Sequence, residues 1–200
     1  MKLAIISGSH RHDSQSGRIS HVLSERVSEL SLFESVDILS LSDNPLPLWD
    51  ESIWAGDEDW KAQLAPWKTW LNEADALVVV APEWNGMVPA GLKNFFLLFG
   101  SAELGHKPAL ITALSAGLGG AYPVVELRSS SYKNCRICYL PDHLIVRHVT
   151  KAFTGEDPEG DQRIQDRADY CLKLLREYSL GLKAVRESGV VDHRTFGNGM

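Results

Sequence analysis

Three stretches of this 200-residue chain are dense enough in polar, glycine and aromatic side chains to do chemistry. The first reads Ser7-Gly-Ser-His-Arg-His-Asp-Ser-Gln-Ser16 and leads into a helical pattern. Hydroxyls, an arginine and the N–H groups of a helix start make an anion site, because both the orphan donors and the positive end of the helix dipole face the ligand. Ser9, Arg11, Ser14 and Ser16 are the candidate ligands, with Arg11 adding a planar fork of donors. The stretch is neither G-x-x-x-x-G-K-[ST] nor G-x-G-x-x-G, so a terminal monophosphate suits it better than a triphosphate or a pyrophosphate. A Ser-rich turn with an ordinary N-cap is the alternative.

The second stretch, Ala81 to Asn94, holds Pro82, Glu83, Trp84, Asn85, Gly86 and Pro89. Asn-Gly between prolines marks a tight turn whose amides can be aimed at a planar ligand. Trp84 offers that ligand a flat apolar face, or simply packs. The third stretch, Ser115 through Gly120, includes Gly117 and Gly119, which would let backbone approach a ligand closely. It reads equally as a plain turn between a strand and a helix.

Positioning these stretches falls to a regular alternation of elements. Apolar runs at residues 3–6, 36–39, 76–80 and 109–114 predict buried strands, and 136–140 with 144–149 a final strand region. Helical periodicity covers 19–30, 60–71, 92–99, about 120–134 and about 159–186. Pro66 predicts a kink or a restart in the second helix. Residues 43–57, with Pro45, Pro47 and Gly56, predict an irregular loop. Continuous apolar strands alternating with helices imply an α/β, three-layer, doubly wound fold. Its five-stranded parallel sheet should have the flavodoxin-like order 2-1-3-4-5. Residues 1–187 form one domain in this reading, and 188–200 a tail. The three stretches then follow strands one, three and four, at the carboxyl edge where such sheets bind ligands.

A formal net charge of -6 without runs of like charge argues against a nucleic-acid face or a polybasic membrane patch. No apolar run approaches the roughly 20 residues of a membrane span. Cys135, Cys138 and Cys171 are too few and odd in number for a disulfide framework, so the chain reads as cytoplasmic with a small-molecule partner. Cys135-Arg-Ile-Cys138 has redox-like spacing but sits where a helix gives way to a strand, so no metal or redox role is assigned to it. His10 and His12 lack further ligands at metal-binding spacing.

Taken together, the three stretches resemble the NADPH-dependent FMN reductases, which include quinone, azo-dye and chromate reductases. The family pattern G-S-x-R-x-x-S-x-N is matched by Gly8, Ser9, Arg11 and Ser14, and P-E-Y-N-G-S-x-P-x-x-L-K-N by Pro82, Glu83, Asn85, Gly86, Pro89, Leu92, Lys93 and Asn94. Leu46-Pro47-Leu48 and Ser115 through Gly120 follow in the family's order, so the resemblance covers roughly residues 2–150. It implies FMN, its phosphate at Ser9, Arg11, Ser14 and Ser16. The ring lies against Pro82, Glu83, Trp84, Asn85 and Gly86, its pyrimidine end toward Ser115, Gly117 and Gly119. It also implies NADPH or NADH as co-substrate and a small acceptor: flavin, quinone, azo compound or metal oxyanion. Hydride transfer belongs to the flavin, so no catalytic side chain is assigned. Ser16 stands where the family has Asn, Trp84 where it has Tyr and Met87 where it has Ser, departures that bear on flavin affinity and acceptor choice.

The resemblance further implies a homodimer or a dimer-of-dimers tetramer. The run Phe95-Phe-Leu-Leu-Phe99 points the same way, since five apolar residues cover more than one helical face, unless the helix is deeply buried. The competing function is a flavodoxin-like electron carrier or flavin-binding module that oxidises no nicotinamide of its own.

Overall fold

A computed structural model describes residues 1–197 and 199. Asn198 and Met200, at the end of the expected tail, lie outside the described residues. Six parallel strands, β1 (Lys2–Ser7), β2 (Ser35–Ser40), β3 (Ala76–Pro82), β4 (Pro108–Leu114), β5 (Cys138–Tyr139) and β6 (Leu144–Val146), form one sheet. Its order is β2-β1-β3-β4-β5, with β6 also on β4. Helices α1 (Gln15–Glu29), α2 (Glu58–Glu73), α3 (Ala90–Leu98), α4 (Ser101–Leu104), α5 (Ala121–Ser130) and α6 (Pro158–Glu187) fill the connections and the C-terminal segment.

Side chains alternate across the sheet and so feed two separate cores. Ile6, Val79 and Ile111 pack with Leu64 and Leu71 of α2, Phe95 of α3 and Leu127 of α5. Ile5, Val78 and Leu110 pack on the other face with Ile19 and Leu23 of α1 and Leu172 and Leu175 of α6. The helix starts are set by short acceptor side chains. Ser14 accepts from the Gly17 N–H at 3.1 Å, Asp57 from Asp59 at 2.7 Å and Asp157 from Gly160 at 3.0 Å.

Three expectations change in detail. Helix α2 is continuous through Pro66, which excludes the restart but not the kink. Leu64, Trp67 and Leu71 are buried beneath it, at about 1.5–3 kcal/mol per large side chain. Together they outweigh the roughly 3 kcal/mol that an interior proline costs. The loop before α2 contains a short 3₁₀ helix, Glu51–Ala55. The last strand region is split: Cys138–Tyr139 pairs with Pro108–Ala109, and Leu144–Val146 with Thr112–Leu114. Pro141 lies in the gap and has no N–H to give. The Arg128 guanidinium takes the carbonyls of Leu140 and Pro141 instead.

The Phe95–Phe99 run is mostly core. Phe95, Leu98 and Phe99 are buried, Phe96 is half-buried, and Leu97 alone of the five faces solvent. The apolar run therefore does not by itself require an interface. Burial also holds the Cys135 and Cys138 thiols above their ordinary pKa, away from reactive thiolate. Lys107, buried ahead of β4, donates to the carbonyls of Leu71 and Asn72 at the end of α2. Desolvation lowers its ammonium to about 8.

Beyond α6 the chain returns to the opposite end of the sheet from the three loops. The His193 ring stacks on His106 with centroids 5.9 Å apart, and Arg136 lies 2.7 Å from His193 Nδ1. Arginine only donates, so His193 Nδ1 is the acceptor in this contact. Burial, then His193, Arg136 and Arg186, hold the His106 imidazole below its usual pKa. Asp75, ion-paired to Arg186 at 3.4 Å, is the nearby counter-charge. A lowered histidine pKa means the unfolded or undocked state binds the extra proton first. The stabilisation is thus complete above about pH 6.5 and is lost as pH falls below it. We expect amide protection factors in residues 190–197 to fall between pH 7.5 and 5.5. His106→Asn, which tolerates the left-handed backbone there (φ 57°), should flatten that dependence; identical profiles for the two proteins would contradict it.

Candidate functional site

Strands β1, β3 and β4 are neighbours and parallel, so the loops that leave their carboxyl ends form one continuous rim. The first loop starts with a close approach. Gly8 donates to Val80 O at 2.9 Å, and a Cβ there would lie 2.6 Å from that oxygen and 2.7 Å from Leu92 Cδ2. Only glycine lets loop one press onto β3 in this way.

Beyond Gly8 the expected anion ligands separate. Ser9 is buried, and its Oγ accepts from the Arg11 N–H at 3.3 Å. Arg11 is exposed and has no ion pair among the described residues. Ser14 caps α1, whose other first-turn N–H groups lack intrahelical acceptors. Ser16 is buried, and its Oγ has no hydrogen-bond partner. A polar hollow of about 420 Å³ opens beside the loop, lined by Ser14, Gln15, Ser40 and Ser42 among others. Orphan N–H donors at this helix start and the exposed Arg11 nearby in the chain fit a phosphate monoester, whereas the enclosed Ser16 hydroxyl does not line the hollow.

The second loop is a rigid turn. Trp84 and Met87 exchange two backbone hydrogen bonds of 2.9 Å, while Asn85 and Gly86 have φ of 50° and 74°. Two successive positive φ values are the signature of a type I′ turn, which Asn-Gly adopts readily. Trp84 meets the His10 ring edge-on, with centroids 4.6 Å apart, and so joins loop two to loop one. Asn94 of α3 clamps the 45–49 segment, donating to Pro47 O and accepting from the Trp49 N–H, each at 2.8 Å.

The Glu83 carboxylate reaches across from Pro82 at the end of β3 and accepts from the Gly120 N–H. A Cβ on Gly119 would lie 2.8 Å from that carboxylate. One on Gly120, with φ 100°, would strike Ile145 Cγ2. These two glycines are required by space and conformation; Gly117 is not, since nothing lies within 4 Å of its Cβ position. Ser115 Oγ accepts from the Gly117 N–H at 3.2 Å. Two residues that the sequence did not single out hold this rim. Glu126 of α5 accepts from the Val88 N–H at 2.7 Å and pairs with Lys93. Arg147 donates to Leu118 O at 2.7 Å and Gly119 O at 3.1 Å. Their partners are 33 to 38 positions away for the first and 28 to 29 for the second, beyond any local pattern.

The profile of the NADPH-dependent FMN reductases matches residues 1–151, which include all three loops. The chain belongs to that family. It is 31% identical over 185 residues to a 2-hydroxy-1,4-benzoquinone reductase of a Burkholderia species, spanning 90% of this chain and 94% of that one. It is 30% identical over 163 residues to a quinone reductase of Escherichia coli K12, covering 78% and 84%. The fold also matches FerB of Paracoccus denitrificans, a flavoenzyme NAD(P)H:(acceptor) oxidoreductase, at a TM-score of 0.68 and 20% identity. That match covers 88% of this chain and 98% of the other. As a family member the chain is an oxidoreductase of NADPH-dependent FMN reductase type. Among the described residues no helix is long and apolar enough to cross a membrane.

The packing at Gly8 makes a direct prediction. Gly8→Ala must displace β3 backbone or Leu92, at a cost of about 1–3 kcal/mol. That corresponds to a fall of roughly 2–12 °C in Tm. Gly117→Ala, with open space around it, should unfold within about 2 °C of the parent. Thermal unfolding followed by circular dichroism compares the two directly.

Proposed function

We propose that this NADPH-dependent FMN reductase binds FMN on the rim of the three loops and delivers the electrons of NAD(P)H to a quinone-type or azo-type acceptor. The observation that carries the reading is the junction of the loops: Gly8 against Val80, Trp84 against His10, and Glu83 against Gly119 and Gly120. A phosphate-binding helix start and a rigid platform for a planar ring are thereby held in one piece. Similarity to the benzoquinone reductase along nearly the whole length supports the acceptor class.

FMN, when bound, supplies a carrier that accepts a hydride and hands on two electrons. In this reading Arg11 and the Ser9, Ser14 and Ser16 stretch hold its phosphate. Pro82, Glu83, Trp84, Asn85 and Gly86 orient the ring from one side, and Ser115, Gly117 and Gly119 approach it from the other. Glu83 acts by holding the two ring-side loops at a fixed separation. Met87 and Leu118, both facing solvent on those loops, give an aromatic acceptor apolar contact. The acting form is a homodimer, to which Tyr122 and Val125 of α5 and Leu97 of α3 offer exposed apolar surface.

Titration of the protein with FMN should give a saturable complex. That complex should oxidise NAD(P)H rapidly only when a benzoquinone or an azo dye is added. Arg11→Ala should weaken FMN about 10- to 100-fold, the worth of a hydrogen bond to a charged group, and leave the fold intact by circular dichroism. Failure to bind FMN would sink the proposal. Binding without nicotinamide oxidation would identify an electron carrier.

A further inference from the structure

A hollow of about 760 Å³ lies not in the three loops but beside the third one. It lies between β6, the segment that follows it and the first turns of α6, and is lined by Arg147, Lys151, Arg163 and Arg167 together with His143 and His148. Only two acids, Asp157 and Asp161, share the lining.

The lining carries four cations against two acids, and both acids are turned to backbone amides and away from the cations. Asp157 is committed to the Gly160 N–H at 3.0 Å. Asp161 is committed to the N–H groups of Phe153 at 2.6 Å and Gly155 at 2.9 Å. Of the cations, Arg167 has a close acid, Asp142 at 2.8 Å. Arg147 spends its donors on neutral carbonyls. Arg163 comes no nearer to Glu159 than 3.9 Å, with both side chains exposed. Lys151 has no anionic partner among the described residues. His143 contributes a shielded Nδ1 without a hydrogen-bond partner. A surface that was basic for solubility alone would not gather these groups into a concavity on a chain of net charge -6.

Arg147 connects this cleft to the rim, because the carbonyls it holds belong to Leu118 and Gly119. A ligand whose flat end lies on the rim and whose other end carries phosphate would cross that arginine into the cleft. We infer that the cleft of Lys151, Arg163 and Arg147 binds the phosphate-bearing adenylate end of the nicotinamide dinucleotide, and that the 2′-phosphate of NADPH is what it selects. The inference rests on the flavin reading given above and extends it to the second substrate. Lys151 and Arg163 are specificity residues in this scheme, acting on capture of the dinucleotide and not on hydride transfer.

The test has a binding arm and a kinetic arm. Calorimetric titration of the full chain with 2′,5′-ADP, 5′-AMP and inorganic phosphate should show 2′,5′-ADP binding at least about tenfold more tightly than either of the others. The double variant Lys151→Gln, Arg163→Gln changes two exposed side chains and should lose that preference. In flavin-loaded protein with saturating benzoquinone, the same variant should raise KM for NADPH about tenfold or more, with kcat and KM for NADH little changed. Equal affinity for 2′,5′-ADP and 5′-AMP, inorganic phosphate binding as well as 2′,5′-ADP, or an equal rise in both KM values would overturn the assignment. FMN titration of the variant separates the two readings. A protein that binds 2′,5′-ADP selectively but never FMN refutes the flavin site, and one that binds FMN without discriminating the nucleotides refutes the cleft.

Discussion

The molecule depends on a sheet that is dry on both sides. From Ala76 to Ala81 every residue of β3 is fully buried, with alternate side chains committed to separate cores. Helices must therefore cover both faces, and parallel neighbours must be joined by crossovers. That arrangement leaves the ends of the strands as the places where polar groups can collect. The three loops occupy one end, and the docked tail with its histidine stack occupies the other. Between those ends the sheet is almost wholly apolar, Thr112 of β4 being a buried exception.

Rigidity at the rim comes from contacts that are short in space and long in sequence. The Glu83 carboxylate is the clearest case: it fills the room that a side chain on Gly119 would need and accepts the N–H of Gly120. Arg147 grips the same loop from the other side. The loop between these two anchors is consequently held in shape by protein alone, and a ligand meets a surface already formed. Preformed geometry of this kind reduces the ordering cost of binding.

These facts explain what could be read from the chain and what could not. The strands were legible because an apolar run such as Ala76 to Val80 has few alternatives in so short a length. The turn at Asn85-Gly86 was legible because few dipeptides adopt two positive φ values easily. Helix α2 was harder, since Pro66 allows a restart that burial of Leu64, Trp67 and Leu71 on one continuous helix disfavours. The split of the last strand was legible only as two segments; that both pair with β4, with Arg128 donating to the carbonyls in the gap, was visible only in three dimensions. Lys107, Glu126 and Arg147 left no trace in local pattern, for each is defined by a partner in another element. In the first loop, residue types placed Ser16 among candidate anion ligands, while the burial of its hydroxyl was visible only in three dimensions.

The divided strand has a further consequence at the margin of the sheet. β5 and β6 span two and three residues, separated by a proline, so that side offers no long row of unpaired amides to another chain. The opposite margin, β2, begins and ends on exposed serines and carries Asp37 between them. Short, interrupted or charged borders discourage strand-to-strand addition. A protein whose interior is so rich in aliphatic β-structure is thereby guarded against growing into ribbons when crowded.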